Sequence, residues 1–189
     1  MILALAVAVG LVISVARFRG HAFSRIAALP LRSTWLALLA LVLQLPLLRA
    51  PAGSVQSVSV QQVFFLLSHL VLLVFVWRNW RLTGVQLLGL GVICNLLVIA
   101  VNGGLMPITP QTLTRINPGS LPSQWLAGLH YGYSKDIILL REQTRLQMLS
   151  DMWVIPPPFP KPTAFSLGDV LIAIGIVVLL QGSAVTRRL

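Results

Sequence analysis

The residues that could do chemistry in this chain are few, and the most informative interrupt long apolar runs: Gln44, Ser68, His69 and Asn95. A polar side chain in an apolar interior is costly unless it finds a partner, so each of these must be bonded to something. Two readings account for them. In the first, they form hydrogen bonds between helices, worth about 0.6 kcal/mol each and in some cases 1–2. In the second, Gln44, His69 and Asn95 line one polar pocket, with His69 exchanging a proton and Asp151 and Asp169 near the mouth. Hydrogen bonding is the commoner outcome. Asp169 has a simple role of its own, since it falls in the first turn of a helix that Ser166 would cap, where the dipole favours an acid. Asp151 can pair with Arg145 or Lys161 across a surface. The three histidines, His21, His69 and His130, are scattered, and Cys94 stands alone. That excludes a disulfide framework within the chain and disfavours a metal centre. There is no Gly-x-Ser-x-Gly elbow, no phosphate-binding loop and no His-Glu-x-x-His pair. No catalytic residue and no metal ligand is therefore assigned, and the cofactor stays unknown.

The elements that hold these residues follow from composition. The chain has 189 residues, 57% hydrophobic and only 10% charged, with a mean hydropathy of +0.89. A soluble domain carries about 25% charged residues, so this chain falls outside that class. A net charge of +10 is common in nucleic-acid-binding proteins, but no nucleic-acid module accompanies it. Membrane topology explains the basic excess better. A bilayer core needs roughly 17–25 apolar helical residues per span. Five runs qualify, at about 1–16, 34–48, 63–77, 85–101 and 167–185, with the second marginal in length. The expected fold is an all-α polytopic membrane bundle of about five transmembrane helices. Arg17, Arg19, Arg25, Arg32, Arg78, Arg81, Arg187 and Arg188 fall on one side, leaving only Arg49 in the short loop opposite. Trp35, Trp77 and Trp80 sit at the basic interface. These features predict a cytoplasmic C-terminus and an external N-terminus in a bacterial inner membrane.

Two features stand out in the segment 102–166, expected outside the bilayer. Asn102-Gly103-Gly104 followed by Pro107 and Pro110 marks a helix stop, or else a close approach of backbone to a ligand or helix. Ser134 can cap an amphipathic helix running to about Trp153, with Asp136 in its first turn and Leu139, Leu146, Leu149 and Trp153 on one face. That helix would lie over the bundle, and Ile155–Pro160 would end it as a stiff extended connector.

Several phrases taken in order carry a resemblance. They are Asn95, then Asn102-Gly103-Gly104-Leu105-Met106-Pro107, then Thr144, Leu146, Leu149 and Asp151. Phe165-Ser166-Leu167-Gly168-Asp169-Val170-Leu171-Ile172-Ala173-Ile174-Gly175 completes the set. Together they resemble a bacterial family of integral membrane proteins of unknown function. The resemblance implies a polytopic membrane protein, brings no activity with it, and draws Asn102, Gly103, Gly104, Asp151 and Asp169 forward as an outer site or clasp. The functional expectation is a non-enzymatic subunit, assembly factor or scaffold. Its partners would be the lipid bilayer and a membrane protein or a second copy of itself, with no nucleic acid. A small transporter or channel component with an outward pocket is one alternative, and a membrane enzyme acting on lipid or quinone is another.

Overall fold

Helix formation follows the apolar runs because a helix satisfies its backbone hydrogen bonds within its own segment. The computed structural model describes residues 2–48, 53–54, 59–159 and 162–182. Helix α1 is Ile2–Phe18, and after one 3-10 turn the chain continues in the short α2, Ala22–Ala27. Helix α3 is Thr34–Leu48, and the two-residue strand β1, Gly53–Ser54, follows it. Helix α4, Val60–Arg78, starts three residues before the expected run because Ser59 and Gln62 form a reciprocal capping box. Gly84, at φ +90°, turns the chain into α5, Val85–Val101.

Beyond α5 the chain builds a small mixed cap. Strand β2 is Met106–Ile108, and Thr109 caps α6, Pro110–Ile116. Strands β3, Leu129–Tyr131, and β4, Asp136–Ile138, come next, followed by β5, Trp153–Ile155, and β6, Thr163–Phe165. Helix α7, Leu167–Gln181, then begins on a second capping box formed by Ser166 and Asp169. The expected span ends at 183–185 and the basic tail with Arg187 and Arg188 lie outside the described residues, as do Met1, Arg49, Pro160 and Lys161.

The helices pack in the spatial order α3–α4–α5–α7–α1. Helices α5 and α7 come closest: a Cβ built on Gly91 would stand 2.5 Å from the Gly168 carbonyl oxygen. Two helix backbones can approach this far only where side chains are absent. By length and composition, Ile2–Ala27 and Val60–Arg78 are long and apolar enough to cross a membrane. Thr34–Leu47, Val85–Val101 and Leu167–Gln181 are shorter apolar helices.

The cap corrects the all-α expectation. One sheet has the order β1–β3–β4–β2, with β2 and β4 parallel and the other pairs antiparallel. A separate antiparallel pair, β5–β6, sets Trp153 opposite Phe165, so Ile155 leads into a hairpin connection. The amphipathic helix expected over 134–153 does not form. Ser134 makes a turn instead, its Oγ donating to the Tyr131 carbonyl and accepting from the Asp136 amide. Asp136 opens a strand, Arg141–Gln143 and Gln147–Leu149 are isolated 3-10 turns, and Leu146 sits at φ +53°. The physical reason is tertiary. The β-branched pair Ile137-Ile138 gains a parallel partner in Pro107-Ile108 and becomes buried, which outweighs a weak helical periodicity. Leu139 and Leu149 still pack inward, whereas Leu146 and Trp153 are about half exposed.

The main core sits where cap meets bundle. Leu47, Phe65, Val98 and Ile99 from the helices pack on Leu105, Met106 and Ile137 from the cap. A second cluster, Ile108, Leu113 and Ile138, lies within the cap.

Candidate functional site

The chain has only four acidic residues. Three of them, Asp136, Asp151 and Asp169, converge on one lysine at the seam between cap and bundle. Lys135 Nζ lies 2.8 Å from Asp151 Oδ2, 3.7 Å from Asp169 Oδ2 and 4.0 Å from Asp136 Oδ1. Local structure puts each in place. Lys135 and Asp136 lead into β4, whose neighbour β2 takes a bond from the Met106 amide to the Lys135 carbonyl. Asp151 follows the last 3-10 turn, and its amide donates to the Pro107 carbonyl at 3.1 Å. Asp169 is held in the first turn of α7, where its amide donates to Ser166 Oγ at 3.0 Å and its Oδ2 accepts from the Ser166 amide.

Asn95 joins this cluster from α5. Its Nδ2 donates to Asp169 Oδ1 at 2.9 Å, and its Oδ1 accepts from Ser166 Oγ at 2.8 Å. All three aspartates are buried, Asp151 at 2% exposure, while Lys135 keeps about a third of its side chain in contact with solvent. Burial acts to lower the Lys135 amine, but Asp151, Asp169 and Asp136 together outweigh it and hold the ammonium well above its usual range. For Asp151, burial is the largest influence and pushes its carboxyl up to about 8, against the pull of Lys135. Asp136 is raised in the same direction and for the same first cause.

Other expected residues serve as ties between segments. Asn102 closes α5 and forms a reciprocal pair with the Arg145 backbone, donating to its carbonyl at 2.8 Å and accepting from its amide at 2.9 Å. Gly103 offers its carbonyl to Gln62 Nε2 of α4 at 3.1 Å, and Gly104, at φ +89°, packs against the Gln62 side chain. This Asn-Gly-Gly turn is bonded to Gln62 and Arg145, and Asp169 to Asn95 and Lys135. Arg145 touches Asn102 rather than Asp151, and Lys161 lies outside the described residues.

The polar set that interrupts the apolar helices divides between two helix pairs. Gln44 of α3 donates to Ser68 Oγ of α4 at 3.1 Å, and Ser68 Oγ donates onward to the Phe65 carbonyl. His69 Nδ1 lies 2.9 Å from the same carbonyl, which only accepts, so this nitrogen carries a proton. Asn95 belongs to the α5–α7 contact instead. Lys135, the centre of the cluster, is the residue that sequence reasoning missed. Its signal was slight: an adjacent Lys-Asp pair in a chain with almost no acids, all of them in the segment after α5 or at the start of α7.

This arrangement defines a class: a sheet of apolar helices roofed by a small α/β cap and fastened to it by a buried Lys–Asp cluster. The chain belongs to the family of unknown function DUF5317, whose model matches residues 28–181. No curated protein and no solved structure matches it.

Proposed function

We propose that this protein is a multi-pass component of the bacterial cytoplasmic membrane, with its cap outside, that works as a non-enzymatic subunit, assembly factor or scaffold. Helices α1, α3, α4, α5 and α7 would be its spans. Support for the membrane reading is the outward face of these helices, where Val12, Leu38, Leu70, Leu97 and Ile174 are all exposed. In water such a surface would aggregate, whereas hydrocarbon covers it without cost.

One observation carries the scaffold reading. The polar groups best suited to chemistry are bonded between segments, and the cap so fastened turns Met148 and Tyr133 outward, at 78% and 73% exposure. Leu121 and Leu126 are also exposed on it. A firmly held cap with protruding apolar and aromatic residues suits recognition of a partner protein. The division of Gln44 and Asn95 between separate helix pairs favours hydrogen bonding over a shared transport pocket.

Photo-crosslinking in native membranes tests the reading. A photoreactive residue at Met148 or Tyr133 is expected to give a discrete protein adduct, identified by mass spectrometry, that the same residue at Arg81 does not give. Adducts with lipid alone at all three positions would overturn the partner role.

A further inference from the structure

We propose that Asp136 and Asp151 share one proton in the folded protein, making the cluster beneath the cap a proton-binding latch rather than three ionised carboxylates around a lysine. The argument starts from unsatisfied atoms. Asp136 Oδ1 and Asp151 Oδ1 are buried with no hydrogen-bond donor among the described residues. Both carboxyl groups gather on the Lys135 ammonium, Asp151 Oδ2 at 2.8 Å and Asp136 Oδ1 at 4.0 Å. When both are ionised, every oxygen is an acceptor, and two buried like charges at one site repel. One proton turns one group into a donor and satisfies both.

Charge balance points the same way. Three carboxylates face a single ammonium, and Lys135 gives its short contact to Asp151 Oδ2. Asp169 is already served by Asn95 and the Ser166 amide. Asp136 and Asp151 are left with the uncompensated charge. Other titratable side chains near the cluster are His69 of α4, close enough to interact with Lys135 and Asp169, His130 of β3, with its Nε2 2.9 Å from the Ser134 carbonyl, and Tyr131, paired across the sheet from Asp136. A resident metal ion is the other way to satisfy two carboxylates, but no group of three or more ligating side chains among the described residues is arranged to hold one.

The position of the proton gives it a consequence. Asp136 opens β4 and Asp151 is tied to β2, so the shared proton joins two segments of the cap at the seam where Lys135 meets Asp169 of α7. A carboxyl raised from 3.8 to about 8 stabilises the fold through its protonated form. That contribution is complete below the unfolded value and is lost as pH rises through the folded one. The latch therefore holds below about pH 8 and loosens above it. This inference does not depend on whether a partner binds the cap.

Infrared spectroscopy of the full chain in nanodiscs tests it. The wild type is expected to show the carbonyl stretch of a protonated, desolvated carboxyl group at neutral pH, and to lose it on titration through about pH 8. Asp136→Asn and Asp151→Asn should each abolish that band, whereas Asp169→Asn should keep it. Asp136→Asn supplies a permanent donor to Asp151, so the protection of the Ile137 and Ile138 amides relative to their intrinsic exchange rates, lower above the transition in the wild type, should no longer change through it. Absence of the band in the wild type at neutral pH overturns the proposal even if the variants fail to fold. Persistence of the band in both variants, or a band replaced by dependence on an added cation, overturns it equally.

Discussion

At the scale of single residues, two asparagines do the same work at opposite ends of the bundle. Asn79, closing α4, accepts from the Arg32 amide at 2.7 Å and donates to the Arg32 carbonyl at 2.8 Å. Asn102, closing α5, does the same to Arg145. A carboxamide presents one donor and one acceptor side by side, as a neighbouring peptide would, and so clips a loop to a helix end. Asn102→Leu should strand the Arg145 amide and carbonyl, at a cost of about 1–3 kcal/mol. The expected readout is faster hydrogen exchange over Arg141–Leu149, and unchanged exchange there would refute the clip. Lys135 matters more. Lys135→Met leaves three buried carboxyl groups without a cation, and breaking a buried ion pair costs about 3–5 kcal/mol. Thermal denaturation in detergent should show a large loss; a variant within about 1 kcal/mol of wild type would mean that the acids are satisfied without the ammonium.

At the scale of elements, the α5–α7 seam is set by glycine. Gly91 faces Gly168, and a Cβ built on Gly175 would lie 2.6 Å from the Leu88 amide nitrogen. Because the obstacles are backbone atoms, a side chain cannot be accommodated by a change of rotamer. Gly91→Val should cost at least the 1–3 kcal/mol of ordinary overpacking, roughly, and should also disturb the Asn95–Asp169 bond one turn above. Wild-type stability for that variant would show the seam to be looser than described. The polar pairs give a sharper test of which helices communicate. Gln44→Leu and Ser68→Ala remove two ends of one bond and should be non-additive, whereas Gln44→Leu and Asn95→Leu share no partner and should add within about 0.3–0.5 kcal/mol. Strong coupling between Gln44 and Asn95 would restore a common pocket.

For the whole molecule, the acidic residues gather at one end. Arg32 and Arg78 lie at the other, where α3 begins and α4 finishes, and Arg78 donates to Ser33 Oγ at 2.8 Å. Asp136, Glu142, Asp151 and Asp169 all lie in the cap or at its seam. In the proposed orientation, with the Arg32–Arg78 end cytoplasmic, cysteines placed at Gln111 and Tyr133 in a Cys94→Ser background should react with an impermeant reagent from outside. Cysteines at Arg19 and Arg81 should react only after permeabilisation. The reverse pattern would invert the proposed orientation.

What the amino-acid order determined by itself is whatever depends on neighbours in the chain. Five apolar helices fall on the apolar runs, and Ser166 begins α7 through a cap readable from a few adjacent residues, whereas the Ser59 cap that starts α4 three residues early was not anticipated. Asn95 stood out because a polar residue inside an apolar run needs a partner, and the resemblance drew Asn102 and Asp169 forward. The partners themselves were not legible. Strand β4 exists because β2, far upstream, offers a parallel edge, and from the local pattern alone the same residues resembled a helix. The convergence of Lys135, Asp136, Asp151 and Asp169 likewise needs β4, a 3-10 turn and α7 to be brought to one point. A helix draws its hydrogen bonds from within its own segment, whereas strand pairing and buried charge are settled between segments. Only the tertiary structure could decide those.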